Sequence, residues 1–196
     1  VVKMLTSRCI PSFCLRVGVS APSAGQSAWA RQKRLELLCD YARQTASAVL
    51  FAHHFDDQAE TVAMRLARGS AVIGLSAIAP VRLYQGVLLV RPFLRLRKAD
   101  LIAVCMAYEA DYITDPSNTD QASERVRIRT WLQQPEQSEL QQHLARLASL
   151  SGVLSMRLAE ACNKWCAEHI VFTLRLRAYI NSAAFSELDR TSKNYI

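Results

Sequence analysis

The sequence predicts an α/β fold: a parallel sheet with flanking helices, incomplete at the N-terminus, followed by a mainly helical appendage. Three observations carry this. SAVLFA at residues 47–52 is short, continuously apolar and followed at once by a helical pattern, as expected of a strand buried on both faces of a parallel sheet. GVLLVRPF at residues 86–93 repeats that form, and a helical pattern follows it too. Beyond Gln133, Leu140, Leu144, Leu147, Leu150, Leu154 and Leu158 recur at three- and four-residue steps with no strand between them.

The elements follow in order. VVKMLTSRCIP at residues 1–11 reads as a helix already under way, without an N-cap and stopped at Pro11, so the chain is expected to be a fragment. In SFCLRVGV, Phe13, Leu15, Val17 and Val19 alternate as in a strand, and SAPSAG is a loop. Residues 26–44 carry Leu35, Leu38, Tyr41 and Ala42 at helical spacing. After the strand at 47–52 come a helix starting near Asp56, the strand at 86–93 and a helix over 97–110. TDPSNTD at 114–120 is dense in turn formers, and a helix with Arg125, Arg127 and Arg129 follows. The leucine-rich stretch is one long helix or two broken near Gly152, and IVFTLRLRAYI at 170–180 is a β-ribbon. The expected boundary separates an α/β part, residues 1–133, from a helical extension, residues 134–196.

Lys and Arg number 24 against 17 Asp and Glu, a net charge of +7 that favours an anionic partner such as nucleic acid. No apolar run is long enough to span a membrane, and no secretory signal opens the chain, so a soluble cytoplasmic protein is expected. The six cysteines lack paired metal or redox spacing. Cys162 and Cys166, one helical turn apart, are expected to be buried thiols.

The chemistry concentrates in AHHFDDQAETVAMRLARGS, residues 52–70. For a helix starting near Asp56, Asp57, Glu60, Thr61, Met64 and Arg68 share one stripe, and Ala59, Val62, Ala63 and Leu66 the other, which should face the sheet. His53, Asp57 and Glu60 then converge beyond the carboxyl end of a strand, where open α/β sheets bind ligands. The structural alternative makes Asp57 an N-cap, Glu60 its capping-box partner and Asp56 a favourable charge at the helix start. A zinc site fits poorly, because there is no H-E-x-x-H and adjacent His53 and His54 diverge. RGS at 68–70 reads as a helix C-cap with Gly69 left-handed.

The same stretch, followed by GLSAI, resembles the signature of the tRNA(Ile)-lysidine synthetase family, a PP-loop family of adenine-nucleotide-dependent enzymes with an adenine-nucleotide alpha-hydrolase-like fold. ARQKRLELL, LLVRPFLRLRKADL and DPSNTDQASERVRIR are similar to further segments of that family in the same order, together covering roughly residues 10–129. The helical part resembles the family's extension more weakly. The resemblance implies that ATP, with Mg2+, adenylates the wobble cytidine of an isoleucine tRNA with a CAU anticodon, and that free L-lysine displaces AMP. It implies that His53 contacts the nucleotide or reacting centre and that Asp57 and Glu60 hold or deprotonate lysine. Arg31 or Arg34 would face the ATP phosphates, and Arg125 or Arg129 the lysine carboxylate or the tRNA.

One departure stands out. The family's S-G-G-x-D-S loop, whose backbone N–H groups cradle phosphate, is not in this sequence. This polypeptide alone is therefore expected to bind ATP weakly or not at all and to be inactive. An interior strand missing from the sheet would leave an edge open and favour a homodimer. Two rivals stay open. One is a non-catalytic tRNA-binding remnant; the other is a 2-thiocytidine-type sulfur transferase, which normally carries C-x-x-C pairs not found here.

Overall fold

A computed structural model describes residues 2–113, 123–172 and 178–193. The first half holds α1 (Val2–Ser7), α2 (Gln26–Gln44), β1 (Val49–Leu50), α3 (Phe55–Ala67), β2 (Val81–Tyr84), β3 (Val87–Val90) and α4 (Lys98–Ala107). Then come α5 (Glu124–Leu132), α6 (Ser138–His169), β4 (Ile170–Phe172), β5 (Ala178–Ile180), α7 (Ser182–Glu187) and α8 (Arg190–Lys193). The turn-rich residues 114–120 and the middle of the ribbon lie outside the described residues.

The sheet is mixed. β1 and β3 are parallel neighbours, as the two apolar runs imply, with Val49 opposite Leu89 and Leu50 opposite Val90. β2 adds to β3 as an antiparallel hairpin strand. Its two-residue turn, Gln85–Gly86, has φ of 47° and 78°, the left-handed pair that matches the twist of a tight hairpin. Among the described residues one face carries the packed core. Val87 and Leu89 pack with Cys39 and Ala42 of α2, flanked by Leu35, Val49, Phe51 and Tyr84. On the other face Leu50 and Leu83 are each 69% exposed, so the expectation of a strand buried on both sides fails for β1.

A second core explains why. Ala59 and Val62 of α3 pack with Leu75, Leu132, Leu144 and Ala148, drawn from the 3₁₀ turn Val72–Ser76, α5 and α6. The apolar stripe of α3 thus goes onto the helical layer and not onto the sheet. Each fully buried Leu or Val there stabilises the fold by about 1.5–3 kcal/mol. α6 runs unbroken through Gly152, since a glycine inside a helix costs about 1 kcal/mol, which burial of Leu144, Ala145 and Ala148 upstream outweighs. The alternation at 12–19 does not become a strand: no strand among the described residues pairs with it, and Phe13 and Val19 are 71% and 61% exposed. No helix among the described residues is long and apolar enough to cross a membrane.

Candidate active site

The carboxyl ends of β1 and β3 form one rim. Beyond β1, the rings of Phe51 and His53 lie with centroids 5.6 Å apart. Immediately after β3, Arg91 sets its guanidinium over the Phe51 ring, 5.4 Å from the centroid. The Nδ1 of His53 and the Nε of Arg91 are both buried without a hydrogen-bond partner among the described residues. Burial holds the His53 pKa below its ordinary range; Asp57 opposes this, and the positive charges of Arg91, Arg125 and Arg31 reinforce it. Near neutral pH the imidazole is therefore uncharged. Arg91 is also pushed down, first by burial and then by Arg82 and Arg31.

α3 starts one residue earlier than expected. His54 is its N-cap, and its backbone N–H donates to Oδ2 of Asp57 at 3.0 Å, the reach-back of an acid in the third helical position. Asp57 is therefore the capping partner and not the cap, and Glu60 takes no part in the box. Asp56 accepts from the backbone N–H of Lys98 at 2.8 Å, satisfying a donor at the start of α4.

Glu60 is 2% exposed and fully engaged by α5. Nε of Arg129 donates to its Oε1 at 2.6 Å, and Nε of Arg125 to its Oε2 at 2.7 Å. Arg125 also donates from Nη2 to Oδ1 of Asp57 at 2.6 Å. Hydrogen bonding to Glu60, then the charges of Glu60 and Asp57, raise the Arg129 pKa against the opposing effect of burial. The i,i+3 carboxylates of one helix thus grip the i,i+4 arginines of the next.

His53, Asp57, Glu60, Arg125 and Arg129 are accordingly brought together. The two arginines expected at a ligand's carboxylate, or at RNA, instead lie on the carboxylates expected to hold a cationic substrate. Arg31 is exposed on α2 yet close enough to act on His53 and Arg91, while Arg34 is exposed on the same helix. Arg91 belongs to the rim and was missed by sequence reasoning; the signal was its place directly after an apolar strand.

A model of the PP-loop domain matches residues 2–136. The chain belongs to the PP-loop family. Over 101 residues it is 52% identical to a tRNA(Ile)-lysidine synthase of Methylobacterium nodulans, covering 51% of this chain and 30% of the relative. A tRNA(Ile)-lysidine synthase of Bradyrhizobium diazoefficiens is 43% identical over 135 residues, 68% of this chain and 37% of its own. A bifunctional protein TilS/HprT of Listeria monocytogenes is 45% identical over 91 residues, 46% of this chain and 14% of its own. The matched stretch spans about a third of the length of the first two relatives. Within the PP-loop family the sequence groups with the lysidine synthases, as the resemblance implied.

The donor set suits an anionic nucleotide better than a lone metal. The positive charges of Arg31, Arg91 and Arg125 act on a histidine with an orphaned ring nitrogen, whereas no group of three His, Cys, Asp or Glu that could hold a metal exists among the described residues.

Proposed function

We propose that the protein takes part in ATP-dependent ligation of L-lysine to the wobble cytidine of an isoleucine tRNA with a CAU anticodon, in the cytoplasm. What carries the reading is the convergence of the orphaned His53 and the paired carboxylates of Asp57 and Glu60 at one strand-end rim, in a chain whose relatives are lysidine synthases. ATP supplies the activation, making AMP the leaving group, and Mg2+ arrives with its phosphates and not in a protein cage. Arg31 and Arg91 neutralise phosphate charge at the rim, and Arg34 is the weaker candidate. Neutral His53 offers Nδ1 as acceptor or donor to the nucleotide or the reacting centre.

Asp57 binds the incoming ammonium. Arg125 donates to that carboxylate at 2.6 Å, and this supports the reading that Asp57 accepts a cationic group. Lysine would then enter by exchange: Arg125 yields Asp57 to the ammonium and turns to the lysine carboxylate, while Arg129 keeps its hold on Glu60. Such an exchange keeps every charge paired.

The test mixes ATP, lysine and the CAU isoleucine tRNA with protein from the whole reading frame containing this sequence, and follows AMP. AMP that requires both lysine and tRNA is expected; none, or AMP formed without tRNA, overturns the reading. In the same assay Asp57→Asn should raise the lysine concentration needed more than the ATP concentration.

A further inference from the structure

Away from the rim, a second basic feature remains without a role. A recess of about 450 Å³ is lined by Phe55, Arg95, Arg97, Asp100, Gln142 and Arg146. Three arginines face it and one carboxylate opposes them, so it carries excess positive charge. Arg95 and Arg146 are exposed and form no ion pair among the described residues. Arg97 lays its guanidinium over the Phe55 ring, 5.2 Å from the centroid, and Asp100 is occupied by the backbone N–H of Arg97 at 2.9 Å.

The arrangement is built on fixed elements. The loop that carries Arg95 and Arg97 is pinned where Phe55 N–H donates to the Leu96 carbonyl at 2.8 Å and Lys98 N–H donates to Asp56 at 2.8 Å. Arg146 arrives from α6 on the opposite wall. Guanidinium groups held around one opening repel one another, and a phosphate relieves that repulsion while accepting from their planar forks.

We propose that Arg95, Arg97 and Arg146 form a subsite for a phosphodiester group of an RNA backbone, at the seam between the sheet's loops and α6. The choice of RNA over a free nucleotide rests on the function proposed above and on position. Phe55, which walls the recess, lies two residues after His53. An RNA strand that puts one nucleotide at the rim therefore carries neighbouring phosphates across this opening. A backbone contact fixes register and reads no sequence.

The experiment titrates the full chain with fluorescent tRNA over a series of salt concentrations, comparing the parent protein with Arg95→Gln, Arg146→Gln and the pair. For the pair the slope of log Kd on log salt should become shallower by about 1 to 2, with affinity near physiological salt reduced roughly tenfold. The loss should be equal for the CAU isoleucine tRNA and an unrelated tRNA, whether or not lysine ligation is ever detected. Arg146→Lys keeps the charge and should keep most of the slope. Arg157→Gln, on another part of α6, is the control for net charge. Equal effects at Arg157, or unchanged tRNA binding by the pair, overturn the subsite. Loss of ATP binding with tRNA binding intact overturns it in favour of a nucleotide phosphate.

Discussion

Arg129 donates from Nε to Oε1 of Glu60 at 2.6 Å, tying the middle of α5 to the first turns of α3 through a carboxylate that water barely reaches. With Arg125 on the other oxygen, Glu60 is satisfied on both sides. It works as a structural clamp as much as a candidate ligand.

Glu60→Ala should cost stability near the lower end of about 3–5 kcal/mol, because two partly buried arginines lose the carboxylate they share while Asp57 stays within reach of both. Urea unfolding measures this. A cycle with Arg129→Ala should give a coupling of about 0.5–3 kcal/mol. Additive losses would show that the contact contributes nothing of its own.

Much of this was legible in the sequence and some was not. The strand–helix joint at residues 49–67 could be read because a short apolar run meets a helical period there. The residues of the clamp were legible as residue types, but not as partners, since pairing Glu60 with Arg129 needs α3 and α5 side by side. β2 was missed because Gln85–Gly86 is a weak turn signal beside Asn–Gly and because VRLY exposes most of its side chains. The alternation from Phe13 to Val19 misled for the opposite reason: periodicity makes a strand only where a neighbour accepts its hydrogen bonds.

His53 makes stability depend on pH. Its folded pKa lies below the ordinary 6.5, so the unfolded chain binds the proton more readily. The contribution is complete above that ordinary value and is lost as pH falls through the folded pKa. His53→Asn should flatten the acid side of a stability–pH curve, and the His53 ring resonance should titrate below 6.5 in an NMR series. A midpoint above that value would contradict the burial argument.

Gln58 bonds like a piece of backbone. Its Nε2 donates to the Ile78 carbonyl at 2.7 Å, and its Oε1 accepts from the Ile78 N–H at 2.9 Å. Gln58→Glu keeps the size but loses the donor, leaving a half-buried carbonyl facing a carboxylate. A loss of about 1–3 kcal/mol is expected in chemical denaturation. No change would mean that water satisfies the Ile78 carbonyl in place of the lost donor.

Gly69 closes α3 as the sequence implied. Its N–H donates to the Leu66 carbonyl at 2.9 Å and that of Ser70 to Arg65 at 3.0 Å, with φ of 68° at the glycine. Gly69→Ala should cost about 1–2 kcal/mol through backbone conformation alone, because no neighbouring atom stands where the new methyl would go. Calorimetry should show a lower melting temperature with the transition otherwise unchanged in shape.

The cysteines give independent reporters of the two cores. Cys39 is 0% exposed between α2 and the sheet, and Cys162 is 6% exposed on α6, whereas Cys9 and Cys14 are exposed. Burial raises the thiol pKa at Cys39 and Cys162, which lowers the thiolate fraction and reinforces the steric block. In native buffer a thiol reagent should label Cys9 and Cys14 within its mixing period, with Cys105 and Cys166 slower and the buried pair protected until denaturant is added. The order in which the last two open then matters. Cys39 sits in a core with one sheet face left uncovered, and Cys162 on the helix whose earlier turns pack the larger core with α3, so Cys39 should open at lower urea. Mass spectrometry of labelled peptides reads both sites at once, and labelling of Cys39 at the rate of Cys9 without denaturant would mean that α2 does not hold its place on the sheet.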